Sequence, residues 1–469
     1  MRFHRFTHYL EAQEAIYAGK HTIITGVPAS GKSTILMELA NSIEFKGHKL
    51  ILDKLTEEKA DLIIRKLNGE EALIFIDTYT DDASAFEKLS NIPSIHVVGA
   101  DRDYYVSNTM HLISRSRYHV IDITELSDHD LQMIRQSIPD SIRRTEFRRP
   151  SMTGATRPSL FEYIQVNIFA PTIYERVQQA LREFRYDSPV LAEMLLFVAY
   201  VHMCRTPVSM DMALAYWRDQ DIKYEKIYEM FKKIGASITE YAGELAEEPQ
   251  DYFSARSTLV ADSVYKAADS KSFRHMLIRF HKNLSPYRIC HYRIFSRRAY
   301  DDRIAIKAFP DWKEGREFYD YIYERDQSPY VLQQAALYLS KRDSHKEAFN
   351  YIDRALAQSG TYNWTIRNSH AIILFKANIG FWQESSARKT LDDSMAILNL
   401  CYREDRRKAY HAVVFSDHAV QYWKKYRDET AKTYLEQARE WLDVVREEEP
   451  WLKRVEEQQK AVKKQLLTA

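Results

Sequence analysis

The sequence predicts an α/β domain built on a parallel five-stranded sheet, followed by a chain that is almost entirely helical. Three observations predict it. Short, nearly continuous apolar runs alternate with amphipathic stretches over the first 125 or so residues, which is the rhythm of strands covered by helices. One glycine-rich segment joins the first strand to the first long helix of that region. From about Ser127 onward the apolar residues fall at helical spacing.

The strands are read at His21–Thr25, Lys49–Leu52, Ala72–Ile76, Ser94–Val98 and His119–Ile123. Each is β-branched and apolar along its length, as a strand buried on both faces must be. A short helix over Thr7–Ala18 precedes the first strand. Beyond the sheet, Leu131, Ile134 and Ile138 mark a helix, and the polar, arginine-bearing stretch from Arg143 to Pro158 reads as a linker. Two apolar helices between Pro189 and Asp219 break at Pro207, and a third covers Tyr224–Ile234. Two strands, 236–241 and 251–256, come next, and helices followed by a hairpin are the order of a winged helix.

After about residue 270 the helices come in pairs with small-residue contacts. Ala335, Ala336 and Leu337 are set to meet Ala348, Ile352 and Ala355; Ala412 and Ala419 are set to meet Ala431, Leu435 and Ala438. That spacing is close to the tetratricopeptide period of about 34 residues, so stacked helical hairpins are expected. Tyr362, Trp364, Tyr422 and Trp423 then serve either a recognition surface or the packing between hairpins.

Composition bounds the rest. The 469 residues are 45% hydrophobic, enough for several domains rather than one core. No apolar run reaches the roughly 18 residues of a membrane span and the start lacks a secretory signal, so a soluble, cytoplasmic protein without membrane contact is expected. Cys204, Cys290 and Cys401 stand far apart, which argues against a disulfide framework or zinc knuckle. With 67 basic and 66 acidic side chains the formal charge is +1, and that balance counts against nucleic acid as a partner.

Gly26-Val27-Pro28-Ala29-Ser30-Gly31-Lys32-Ser33 satisfies the P-loop pattern between a strand and a helix that runs on through Thr34 to about Ser42. Such a loop points backbone N–H groups at a phosphate, at the positive end of a helix dipole. Lys32 is expected on the β- and γ-phosphates, Ser33 on Mg²⁺, and Asp77, which ends the third strand, as a second metal contact. Asp81 and Asp82 follow it, either to polarise an attacking water or to cap the next helix. Arg102, at the tip of the fourth strand, is placed to sense a γ-phosphate or to pair with Asp101 or Asp103. The arginines Arg143, Arg144, Arg148 and Arg149 read as a solvated linker or as contacts to phosphates.

These residues resemble the STAND class of P-loop NTPases, the signal-transducing switches related to NACHT and NB-ARC proteins. Gly26 to Ser33 matches its Walker A motif, Ile74-Phe75-Ile76-Asp77 its Walker B motif, and Arg102 its sensor 1. The segment Ile121–Ser127 resembles the exit into a helical lid, and Arg157-Pro158-Ser159-Leu160 its Gly-x-Pro lid motif with Thr156 in place of the glycine, so that Pro158 would pack on the base.

The resemblance implies a nucleotide domain over residues 1–125, a helical lid over 126–185, a winged-helix-like domain over 186–268 and a tetratricopeptide-like sensor array over 269–469. It implies ATP or ADP with Mg²⁺ as cofactors and slow ATPase activity that serves as a switch. It also implies homo-oligomerisation on activation, and a protein ligand, viral in antiphage relatives, on the repeats. An effector is expected upstream in a longer polypeptide or on a separate subunit. Two other readings stand beside it: a helical-repeat scaffold with a structural nucleotide, and a DNA-dependent ATPase.

Overall fold

A computed structural model describes residues 6–27, 29–52, 54–124, 126–148, 160–168, 173–220, 222–241, 250–290, 292–360, 362–449 and 452–467. The chain forms two compact units, one of residues 1–170 with 405–469 and one of residues 171–404.

The first unit begins with helix α1 (Thr7–Tyr17) and strand β1 (His21–Gly26), and continues through α2 (Lys32–Ser42), β2 (His48–Leu52), α3 (Glu57–Leu67) and β3 (Ala72–Asp77). It goes on with α4 (Ala83–Ser90), β4 (Ile95–Arg102), α5 (Asp103–Thr109), β5 (Tyr118–Asp122), α6 (Asp128–Ser137) and α7 (Leu160–Val166). The five strands are all parallel, in the order β2-β3-β4-β1-β5. The five strands read from the sequence are therefore those of the sheet, with ends shifted by a few residues at most.

Successive strand residues point to opposite faces, and both faces are covered at β1, β3 and β4, whereas the edge strand β2 buries none of its residues fully and leaves Ile51 54% exposed. Ile24, Leu73, Phe75, Val98 and Ile121 pack with Tyr9, Ala12 and Ile16 of α1 and Ile35, Leu36 and Leu39 of α2. Ile23, Ile74, Ile76 and Val97 pack with Phe86 and Leu89 of α4 and Val106 of α5 on the other side. Both-face burial is why the runs of β1, β3 and β4 read as continuously apolar rather than alternating. The carboxyl ends of β1, β3 and β4 all face one edge of this three-layer stack, and the loops leaving that edge carry the candidate site.

α6 starts at a full capping box in which the Ser127 hydroxyl accepts from the Asp130 N–H and the Asp130 carboxylate accepts from the Ser127 N–H. The described part of the polar stretch after it, residues 143–148, is pinned rather than free. Asn167 at the end of α7 accepts from the Arg148 N–H at 2.8 Å and donates to the Arg148 carbonyl at 2.8 Å, and Arg143 bridges to Ile168. Arg143 pairs with Asp140, and Arg144 donates to the Ile168 carbonyl at 3.3 Å. These three arginines are thus held locally; Arg149, Thr156, Arg157 and Pro158 lie outside the described residues.

The second unit holds α8 (Ile173–Asp187), α9 (Pro189–Met203), β6 (Val208–Ser209), α10 (Met210–Tyr216), α11 (Tyr224–Ile234), β7 (Ile238–Tyr241), β8 (Tyr252–Ala255) and α12 (Thr258–Ala267). A small antiparallel sheet of order β6-β8-β7 includes a two-residue strand that the sequence reading did not find. Too short to show a pattern of its own, β6 is fixed by pairing with β8. Then come α13 (Ser270–Asn283), α14 (Tyr292–Ala299), α15 (Asp302–Ala308), α16 (Trp312–Arg325), α17 (Pro329–Lys341), α18 (His345–Ser359), α19 (Trp364–Asn378) and α20 (Ser385–Glu404).

α17 packs on α18 and α19 on α20 as helical hairpins. Ala335, Ala336, Ala348, Ile352 and Ala355 are all fully buried between α17 and α18, so the small residues set the close approach. Within the first unit, α21 (Lys408–Tyr426) and α22 (Glu429–Glu448) form the same kind of pair, closed by α23 (Lys453–Leu466). Ala412, Ala419, Ala431, Leu435 and Ala438 are its buried contacts. Tyr422 and Trp423 are buried there as packing residues, whereas Tyr362 is 81% exposed.

Candidate functional site

The loop from Gly26 to Ser33 leaves the end of β1 and enters α2. A Cβ at Gly26 would stand 2.8 Å from the Ser30 Oγ and 3.1 Å from the Thr124 Oγ1, so only glycine permits this turn. Gly31 has φ +97°, and Ala29 also lies in the left-handed region at φ 60°. Such a change of hand within a few residues is how successive backbone N–H groups come to line a concavity. The Val27 N–H is held by the Thr124 Oγ1 at 3.2 Å, which anchors the loop to the residue two past β5. Pro28 lies outside the described residues.

Lys32 is 9% exposed, and its ammonium donates to the Val27 carbonyl at 2.7 Å, the Gly26 carbonyl at 3.1 Å and the Ser30 Oγ at 3.4 Å. The loop thus folds around its own cation. Its pKa is pushed down to about 8, first by burial and then by the Arg102 guanidinium, against the pull of Asp101, Asp103 and Asp77. An incoming anion would reverse that balance.

Asp77 ends β3, separated from β1 by β4. Its carboxylate accepts from the Thr78 N–H at 3.1 Å. Burial raises its pKa, the Ser33 hydroxyl opposes the rise, and the charge of Asp101 adds to it. The two residues expected to share a metal ion therefore lie in electrostatic reach of each other and of the Lys32 ammonium. Ser33 and Thr34 are both exposed at the start of α2. A hydroxyl, a carboxylate and an adjacent buried ammonium form a donor set suited to Mg²⁺ and phosphate oxygens.

Beyond Asp77 the chain turns sharply. Thr78 has φ 55°, an uncommon conformation for a β-branched residue, and the 3₁₀ turn Tyr79–Asp82 follows. Asp81 is buried in that turn, whereas Asp82 is the N-cap of α4 and accepts from the Ala85 N–H at 3.1 Å. Arg102 ends β4 opposite Gly26, half-buried, with its guanidinium 5.6 Å from the Tyr105 ring centroid. Its charge is among those that push the Lys32 pKa down.

Two residues here were given no place at the site by sequence reasoning, which named Asp101 only as a partner for Arg102 and Leu160 only as the end of the lid-like motif. Asp101 is 2% exposed, accepts from the Thr80 hydroxyl and, at 2.7 Å, from the Arg102 N–H, and so ties the turn after β3 to the end of β4. Its signal is the same as that of Asp77, an acid at the carboxyl end of a buried strand. Leu160, the first residue of α7, would stand 3.5 Å from a Cβ at Gly31, which puts the start of that helix against the loop. No short-range pattern links residue 160 to residue 31.

Among the described residues no helix is long and apolar enough to cross a membrane. No protein-family model matches the sequence, and no curated protein matches it. In structure, the chain is similar to a Signal Transduction ATPase with Numerous Domains (STAND) protein with a tetratricopeptide repeat sensor from Pyrococcus horikoshii. The two share 11% identity at a TM-score of 0.31, over 94% of this chain and 71% of the other.

Proposed function

We propose that the chain is a STAND-type switch that binds a magnesium-complexed adenine nucleotide at Gly26–Ser33. The reading rests on one observation above the others: a buried ammonium, Lys32, is folded against the loop's own Gly26 and Val27 carbonyls, with the Asp77 carboxylate and the Ser33 hydroxyl in electrostatic reach of each other beside it. Ser33 and Asp77 are the residues that would hold Mg²⁺, which when bound screens the charge of the phosphates. Lys32 exchanges its contacts to the Gly26 and Val27 carbonyls for phosphate oxygens, and Arg102 faces the outermost phosphate. Asp81 or Asp82 orients water for slow hydrolysis.

The helical hairpins are the sensor in this reading. A protein ligand on them shifts the population toward an open, self-assembling form that engages an effector, and antiviral defence is the setting that the resemblance supplies. To reverse a hundredfold bias the ligand must favour the open form by about 5.5 kcal/mol.

Calorimetric titration with ATP and ADP, with and without magnesium, tests the site. Binding that weakens on chelation of the metal is expected; absence of binding by either nucleotide would overturn the assignment. A structural nucleotide in a passive scaffold is the alternative, and it predicts neither turnover nor exchange.

A further inference from the structure

The near-neutral charge of the whole chain hides a local excess. Residues 270–300 contain eight Lys and Arg and no Asp or Glu, so the rest of the chain carries more acid than base. This stretch is α13, the connection after it and α14. Acids from elsewhere in the second unit answer part of the excess. Glu314 pairs with Arg274, Glu193 and Asp219 take Arg279, and Asp211 takes Arg288. Lys271, Lys282 and Arg293 are exposed and have no ion-pair partner among the described residues.

The fold adds two more cations at the end of α13. Arg218 donates to the Lys282 carbonyl at 3.3 Å, and Arg325 donates to the His281 carbonyl and, at 3.0 Å, to the Leu284 carbonyl. Capping the free carbonyls at the negative end of a helix explains why arginines come there. It does not use them up, since a guanidinium has five N–H donors, and both side chains stay exposed. Three cations therefore converge within one helical turn.

Next to them stands an aromatic surface that packing does not account for. Tyr287 is 83% exposed, with the Arg288 guanidinium 5.8 Å from its ring centroid. Tyr321 is 39% exposed and has Arg325 at 5.6 Å from its ring centroid. Cations that track a backbone beside open aromatic faces are the chemistry of single-stranded nucleic acid binding, in which every base offers a face to stack. A duplex hides those faces, and an acidic peptide has no use for them.

We propose that the carboxyl end of α13 and the following segment into α14 bind single-stranded nucleic acid, with Lys282, Arg218 and Arg293 on phosphates and the Tyr287 ring under a base. The surface lies wholly within the second unit and does not depend on the nucleotide reading of Gly26–Ser33.

Fluorescence anisotropy of the full chain with labelled oligothymidylate and oligouridylate of about 20 nucleotides, between about 50 and 200 mM salt, tests it. The double variant Lys282→Glu with Arg293→Glu should bind at least tenfold more weakly, with a log–log salt slope smaller by about two. Tyr287→Ala should cost about tenfold and Tyr287→Phe nothing, because the ring alone stacks. Comparison of the two oligomers assigns DNA or RNA. The proposal fails if neither oligomer binds, if the charge-reversed variant binds as wild type does, or if a duplex or polyglutamate binds as tightly as the single strands.

Discussion

Lys32 and Lys282 are both cations offered to phosphate, yet the molecule presents them in opposite ways. Lys32 is buried, wrapped by backbone carbonyls and perturbed in pKa, whereas Lys282 stands in solvent at the end of a helix with its ammonium unengaged. The first environment makes binding depend on one group and on its protonation state. In the second, binding is spread over several exchangeable charges and is weakened by salt. A site of the first kind breaks at a single atom; one of the second kind erodes.

That contrast sets the largest expected effect. Lys32→Ala should lower ATP affinity by a thousandfold or more, measured by calorimetry, while circular dichroism still shows a cooperative unfolding transition. The charge reversal at Lys282 and Arg293 should leave ATP affinity at its wild-type value. If both variants weakened ATP to a similar extent, the two cations would not belong to separate sites.

The same contrast was visible, unequally, in the sequence. Gly26 and Gly31 stand at fixed spacing because the loop geometry tolerates nothing else: a Cβ on the first would stand 2.8 Å from the Ser30 Oγ, and the second has φ +97°. Spacing imposed by backbone geometry survives as a pattern, and the central strands β1, β3 and β4 survive as apolar runs because both of their faces are covered. Asp101 escaped because its role arises from the pairing of β4 with β1 and β3, which brings it to Thr80 over a long sequence separation. The contact of Leu160 with the loop at Gly31 escaped for the same reason. The basic stretch was in plain view but invisible to a count over the whole chain, and its convergence with Arg218 and Arg325 exists only in the folded unit.

A smaller effect follows from protonation. Lys32 has its pKa pushed down to about 8, and a bound polyphosphate would raise it again by opposing charge. Below pH 8 the ammonium is already charged, so ATP binds without proton uptake. Above pH 8 binding must be coupled to uptake of a proton, and affinity should fall by up to tenfold per pH unit. Calorimetry in buffers of different ionisation enthalpy across pH 7 to 9.5 would show that proton. A flat profile would mean that Lys32 keeps an ordinary pKa and that its burial is relieved in solution.

The smallest effect separates two roles for one carboxylate. Asp82 caps α4 through the Ala85 N–H, so Asp82→Ala should cost about 1 kcal/mol of stability. Asparagine caps a helix as well as aspartate does, and Asp82→Asn should therefore leave stability unchanged while removing the charge that would orient water. If Asp82→Asn hydrolyses ATP at the wild-type rate, Asp82 is only a cap, and the water-orienting group is the buried Asp81 one residue before it. If turnover falls with the cap intact, the carboxylate acts on the reaction itself. The pair of variants thus decides whether the turn after β3, strained at Thr78 and tied down by Asp101, presents its second acid to the helix alone or also to the nucleotide.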